Sequence, residues 1–209
     1  MSDEPVYSSK SVDPVSDSLF QAAIARIDQA NSLDPNSIPF NGTSHPAELL
    51  YSQRLTAWVK KLSPSASQAL LLAAHSQHIC RWHFPRTTYP EGRAGYLKWR
   101  ADLKLFHAST TANILSELGF PTEFITRVQQ LNLKKELGRD PEMQVLEDAL
   151  CLMTLQYQFA DLLQKTPRDK LIAILQKTWR KMSEAGHAAA LSLDYPPDQL
   201  ALIQEALTS

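Results

Sequence analysis

Cysteine is scarce in this chain: the 209 residues include two, Cys80 and Cys151, both in apolar helical surroundings. That count speaks against a disulfide framework and for a reducing, cytoplasmic compartment. No run of about 18 apolar residues occurs, so no membrane-spanning helix is expected. The opening stretch MSDEPVYSSKSVDPVSDS lacks the basic and apolar regions of a signal peptide, and residues 1–17 are expected to form a disordered tail. Net charge is nearly absent, at -1, which argues against a nucleic acid or membrane partner. There is no glycine-rich nucleotide loop, no parallel α/β pattern and no repeat of fixed period.

What remains is helical periodicity, and it points to one all-α domain over residues 18–209, a bundle of about eight helices. LFQAAIARIDQAN sets Leu19, Ala23, Ile24 and Ile27 on one stripe, and ELLYSQRLTAWVKKL repeats the pattern. The proline-rich SLDPNSIPFNGTSHP between them reads as an irregular linker. Ser63 and Pro64 read as the start of a third, mostly buried helix through ALLLAAHSQHICRW. Pro85 and Pro90 interrupt it with a loop, and a long helix then runs from Arg93 to Leu118, capped by Gly119. Pro121 opens a helix to about Lys135, and Asp140 caps another through MQVLEDALCLMTLQYQFADLLQK. KLIAILQKTWRKMSEAG and DQLALIQEAL complete the set.

The chemistry gathers between residues 75 and 107, which hold His75, His78, His83 and His107 together with Trp82 and Trp99. His75 and His78 are three apart, a spacing that puts two residues on one helix face. Such a pair is as readily two hydrogen-bonded core histidines as a metal site. Later in the chain Glu147 and Asp148 sit inside an apolar run. A carboxylate facing a core must be paired, hydrogen-bonded or metal-bound. Between the histidines, Arg81, Arg86, Arg93, Lys98 and Arg100 crowd a twenty-residue span with Tyr89, Tyr96 and Trp99 among them. Arginine forks suit phosphate or carboxylate, and aromatic faces suit a ring. The plainer alternative is a solvated face with ion pairs to Glu91, Asp102 and Glu147. Lys134 and Lys135 are placed to join from a helix end.

An apolar helix ending in histidine, a histidine ahead of a long helix closed by glycine, and an acid in a later apolar helix together resemble the HD-domain superfamily. The resemblance implies an all-helical metal-dependent phosphohydrolase, or a di-iron oxygenase. It maps His78, His107 and Asp148 onto metal ligands. Gln77–His78 stands where that family has its His-Asp doublet, and Tyr51 where an early helix would supply a histidine. A second, more specific resemblance rests on ELLYSQRLTAW, QHICRWHFPR, YPEGRAGYLKWR, LEDALCL and KTWRKMSEAG. These blocks are similar to an uncharacterised domain family of bacteria and fungi, some of whose members carry a glutamyl-tRNA-synthetase-like label. Lys181-Met182-Ser183 is the only trace of a synthetase signature, and the fold such an enzyme needs is missing.

The expectation is therefore a metal-dependent hydrolase of a small phosphorylated or nucleotide-like anion. Iron, manganese or magnesium would sit on His78, His107 and Asp148, with His75, Glu147 and Lys134 in catalytic support. Arg81, Arg86, Arg93, Tyr96, Trp99 and Arg100 would form the substrate wall. Two alternatives stand beside it: a metal-free regulatory module binding an anion or nucleotide, and an iron oxygenase.

Overall fold

A computed structural model describes residues 12–208. They form ten α-helices and one two-stranded hairpin: α1 Asp17–Asn31, β1 Ser37–Phe40, β2 Thr43–Pro46, α2 Ala47–Leu62, α3 Gln68–His75, α4 Gly92–Glu117, α5 Thr122–Asn132, α6 Pro141–Tyr157, α7 Phe159–Lys165, α8 Arg168–Trp179, α9 Glu184–Leu191 and α10 Pro197–Thr208. None of these helices is long and apolar enough to cross a membrane. The fold is mostly helical, as the periodicity requires, with more and shorter helices than expected.

Two breaks account for the additional helices, and a third departure adds the hairpin. Gln158 separates α6 from α7 inside the run expected to be continuous. Residues 180–183 separate α8 from α9, because the side chain of Asp148 captures the Ser183 N–H and hydroxyl and Ser183 then caps α9. The third departure is in the expected linker, where Asn41-Gly42 forms a hairpin turn. Both residues are left-handed, φ 49° and 78°, as a two-residue hairpin connection demands.

Helix α3 lies at the centre, packed against α1, α2, α5 and α6. Ala69, Leu70, Leu72, Ala73 and Ala74 are wholly buried, so this helix is apolar on nearly every side. It is much shorter than expected. The hydroxyl of Ser67, not Ser63, accepts from the Leu70 N–H at its start. It ends at His75, and the chain then turns through residues 76–80. His75 and His78 therefore do not share a helix face.

The turn after α3 is held at several points. Asn132 at the end of α5 donates to the Ser76 hydroxyl at 3.0 Å, and the Cys80 N–H donates to the Asn31 side chain at 3.0 Å. Cys80 itself takes the left-handed conformation, φ 52°, which a residue with a Cβ adopts at a cost of about 1 kcal/mol. Ahead of α1, Val12 and Val15 pack against the core, and the Val15 N–H donates to Gln68. Residues 12–16 of the expected tail are thus among the described residues, and the rest of that tail lies outside them.

Candidate functional site

His107 faces the end of α3 from the middle of α4 and is 3% exposed. Its Nδ1–H donates to the Ile79 carbonyl at 2.8 Å, because a carbonyl can only accept. That bond fixes the tautomer and leaves Nε2 with its lone pair and no protein partner. Burial, aided by Arg81 and opposed by the Ile79 bond, pushes the ring down to about 4. His78 lies beside it with ring centroids 6.1 Å apart, and its nitrogens make no hydrogen bond among the described residues. Burial, then the charges of Arg81, His107, Lys134 and Arg100, hold His78 well below the usual imidazole range. Both rings are neutral at physiological pH.

Glu48 completes the floor. It stands in the first turn of α2, its N–H held by Asp34 at 2.9 Å. Its Oε2 is buried without a hydrogen-bond partner and lies 3.9 Å from Nδ1 of His78. Burial pushes this carboxyl up to about 7, Arg81 pulling against that and Asp34 adding to it. Sequence reasoning passes over Glu48, since an acid in a first turn ordinarily serves the helix dipole in solvent.

Cations surround this floor. Arg81, just past the turn, lies over the Trp99 ring at 5.3 Å, and Arg100 lies near the Tyr96 ring at 5.8 Å. Among the described residues neither guanidinium has a carboxylate partner. Lys134 and Lys181 share one: Glu147, which accepts from them at 2.8 and 3.0 Å. Burial would raise Glu147, yet the two lysines outweigh it and hold the carboxyl below its ordinary value. Burial lowers Lys134 against the pull of Glu147, with Arg100 and Lys181 adding to the lowering. Lys134 follows α5 at the position where a helix commonly ends in glycine, and its φ of 54° is left-handed. Backbone strain at Cys80 and at Lys134 thus brackets the same group.

The other expected residues lie elsewhere or serve the scaffold. His75 is tied on both nitrogens, to Thr56 at 2.9 Å and to Asp28 at 2.7 Å, and links α2, α3 and α1. Arg86 donates to the carbonyls of Tyr89 and Pro90 and closes the 84–91 loop on itself. Trp99 donates to the Phe84 carbonyl at 2.8 Å, which straps that loop to α4. Gly95 allows the strap: a Cβ there would meet the Pro90 carbonyl oxygen at 1.9 Å. Arg93 is exposed in the first turn of α4. Tyr96 and Trp99 support the guanidinium groups rather than stand apart as a stacking platform.

Asp148 is also committed. Its carboxylate accepts from the Ser183 N–H at 2.9 Å, the Ser183 hydroxyl at 2.5 Å and Gln144 at 3.0 Å, and it packs where a Cβ on Gly186 would sit. A divalent metal needs several such donors turned to one point. Among the described residues no three His, Cys, Asp or Glu side chains are arranged to hold an ion. The donors expected for iron, manganese or magnesium do not come together: His78 and His107 are neighbours, and Asp148 is bound to the α8–α9 turn.

A family profile, the domain of unknown function DUF4202, matches residues 21–203, and the chain belongs to that family. Neither the curated proteins nor the solved structures supply a match.

Proposed function

We propose that this member of the family binds a small phosphorylated or otherwise anionic molecule where Arg81, Arg100, Lys134 and Lys181 surround His78 and His107. The observation that carries the reading is a local excess of positive charge. Lys134 and Lys181 share the carboxylate of Glu147, Arg81 and Arg100 have no carboxylate partner among the described residues, and these charges add to burial in lowering His78 and Lys134. Folding gains nothing from such crowding, and an incoming anion relieves it.

Arginine supplies the planar fork and lysine the point charge that phosphate takes up best. The excess is confined to one patch of a chain whose net charge is -1, which favours a small ligand over a polyanionic strand. The HD-type scaffold enters this reading at one point, the pairing of a histidine after a buried helix with a histidine from the next long helix. Metal-dependent hydrolysis is left out of it, because Asp148 is taken up by Ser183 and Gln144. A cytoplasmic setting belongs to the same proposal and is supported by two free thiols, Cys80 and Cys151.

Thermal melting at matched ionic strength tests the reading. Inorganic pyrophosphate at millimolar concentration should raise Tm by several degrees over sodium chloride, since a ligand at 100 times its Kd stabilises by about 2.7 kcal/mol. Identical melting curves in the two salts would contradict it.

A further inference from the structure

The cations explain an anion, but they leave the floor of the site unexplained. Among the described residues one buried carboxylate oxygen and two imidazole lone pairs lie there without hydrogen-bond partners. Glu48 Oε2 is buried and makes no hydrogen bond. Nε2 of His107 is left open by the bond that Nδ1 makes to Ile79, in a side chain 3% exposed. His78 makes no hydrogen bond and, being neutral, offers one further lone pair. Arg81 joins the two halves, since its charge acts on Glu48, His78 and His107 alike.

A fully ionised phosphate monoester brings only acceptors to this floor, and its oxygens would face the ionised Glu48 carboxylate and the imidazole lone pairs. Leaving the buried Glu48 oxygen unpaired carries a desolvation cost. A ligand that brings donors of its own removes that cost. We infer that the ligand carries hydroxyl or amine donors close to its anionic group, the anion meeting Arg81, Arg100 and Lys134 and the donors meeting Glu48 and His107. The inference rests on the anion-binding reading above and narrows the ligand class from anions in general to donor-bearing ones. Selectivity would then come from Glu48: a site built to pair a substrate hydroxyl discriminates strongly against an analogue lacking it.

Three monoesters of equal carbon number separate the possibilities: glycerol phosphate with hydroxyls, 3-aminopropyl phosphate with an amine, and propyl phosphate with neither. In calorimetric titrations of the full chain, the hydroxylated or the aminated ester should bind at least about tenfold more tightly than propyl phosphate. Whichever of the two binds tighter identifies the donor. Glu48→Leu should reduce that preference to within about twofold while propyl phosphate still binds, and Glu48→Gln, which keeps an acceptor oxygen, should retain it. Equal affinities of the three esters for the unaltered protein would overturn the donor inference and leave the anion reading standing. No binding by any ester or by inorganic pyrophosphate would overturn both.

Discussion

Replacing Arg81 with glutamine should weaken pyrophosphate binding about tenfold to a hundredfold, the worth of one or two charge-assisted hydrogen bonds. Arg81 is the cation whose charge reaches all three floor residues, and after burial it is the largest influence on Glu48 and on His78. Its guanidinium is held over Trp99 rather than by a carboxylate, so a ligand has no internal anion to displace. Arg81→Lys should recover only part of the loss, because an ammonium has neither the fork nor the flat face that Trp99 supports. Calorimetric titration of the unaltered protein and the two variants reads the effect. The same binding should weaken as salt is raised, since Arg100 and Lys181 are partly in solvent and screened. An Arg81→Gln protein that binds within about twofold of the original would count against the site.

The second large effect concerns pH and stability, and it runs in opposite directions for two neighbours. Glu48 rises from 4.5 in the unfolded chain to about 7 in the folded one. Its contribution is fully present below 4.5 and is lost as pH climbs through 7, because an ionised carboxylate is then buried without a partner. His107 falls from 6.5 to about 4. Its contribution is present above 6.5 and is lost as pH drops toward 4, where a buried ring must take a proton. Each amounts to about 3 kcal/mol at most, and between roughly pH 4.5 and 6.5 the two nearly cancel.

Glu48→Gln removes one side of that balance. Relative to the unaltered protein, the variant should gain about 3 kcal/mol as pH rises from 4.5 to 7, measured by chemical denaturation at a series of pH values. Taking the difference between the two proteins cancels every other titrating group. A flat difference profile would mean that Glu48 is solvated and is no part of the floor.

Much of the scaffold is legible in the sequence, and where reading fails the reason is usually tertiary. Asp140 before Pro141 and Gly119 after α4 act as helix signals and mark true boundaries. Asn41-Gly42 is as strong a local signal for a hairpin, but the prolines around it give the segment the composition of a linker. Ser63-Pro64 is a good helix start that is not used, because Ser67 caps α3 four residues later. The breaks at residues 76–80 and 180–183 are made by side chains of distant segments, Asn31, Asn132 and Asp148, which periodicity does not see.

The site divides in the same way. His78 and His107 are readable because their residue types are rare in such surroundings, and Arg81, Arg100 and Lys134 because they stand near them or at a helix end. The role of Asp148 and that of Glu48 exchange places in the fold. Asp148 sits in a largely buried apolar helix yet serves a turn, whereas Glu48 sits in a polar first turn yet is buried against a histidine. Burial of a single side chain depends on what packs over it, and no window of local sequence records that.

The most direct test of the anion site is a crystal structure of the protein soaked in tungstate, whose electron-dense oxyanion mimics phosphate. The account predicts density within hydrogen-bonding reach of Arg81 and Lys134, above His78. Density found only on the exposed α4 face at Arg93, or none at the Arg81–Lys134 group in crystals whose lattice leaves it open, would contradict it.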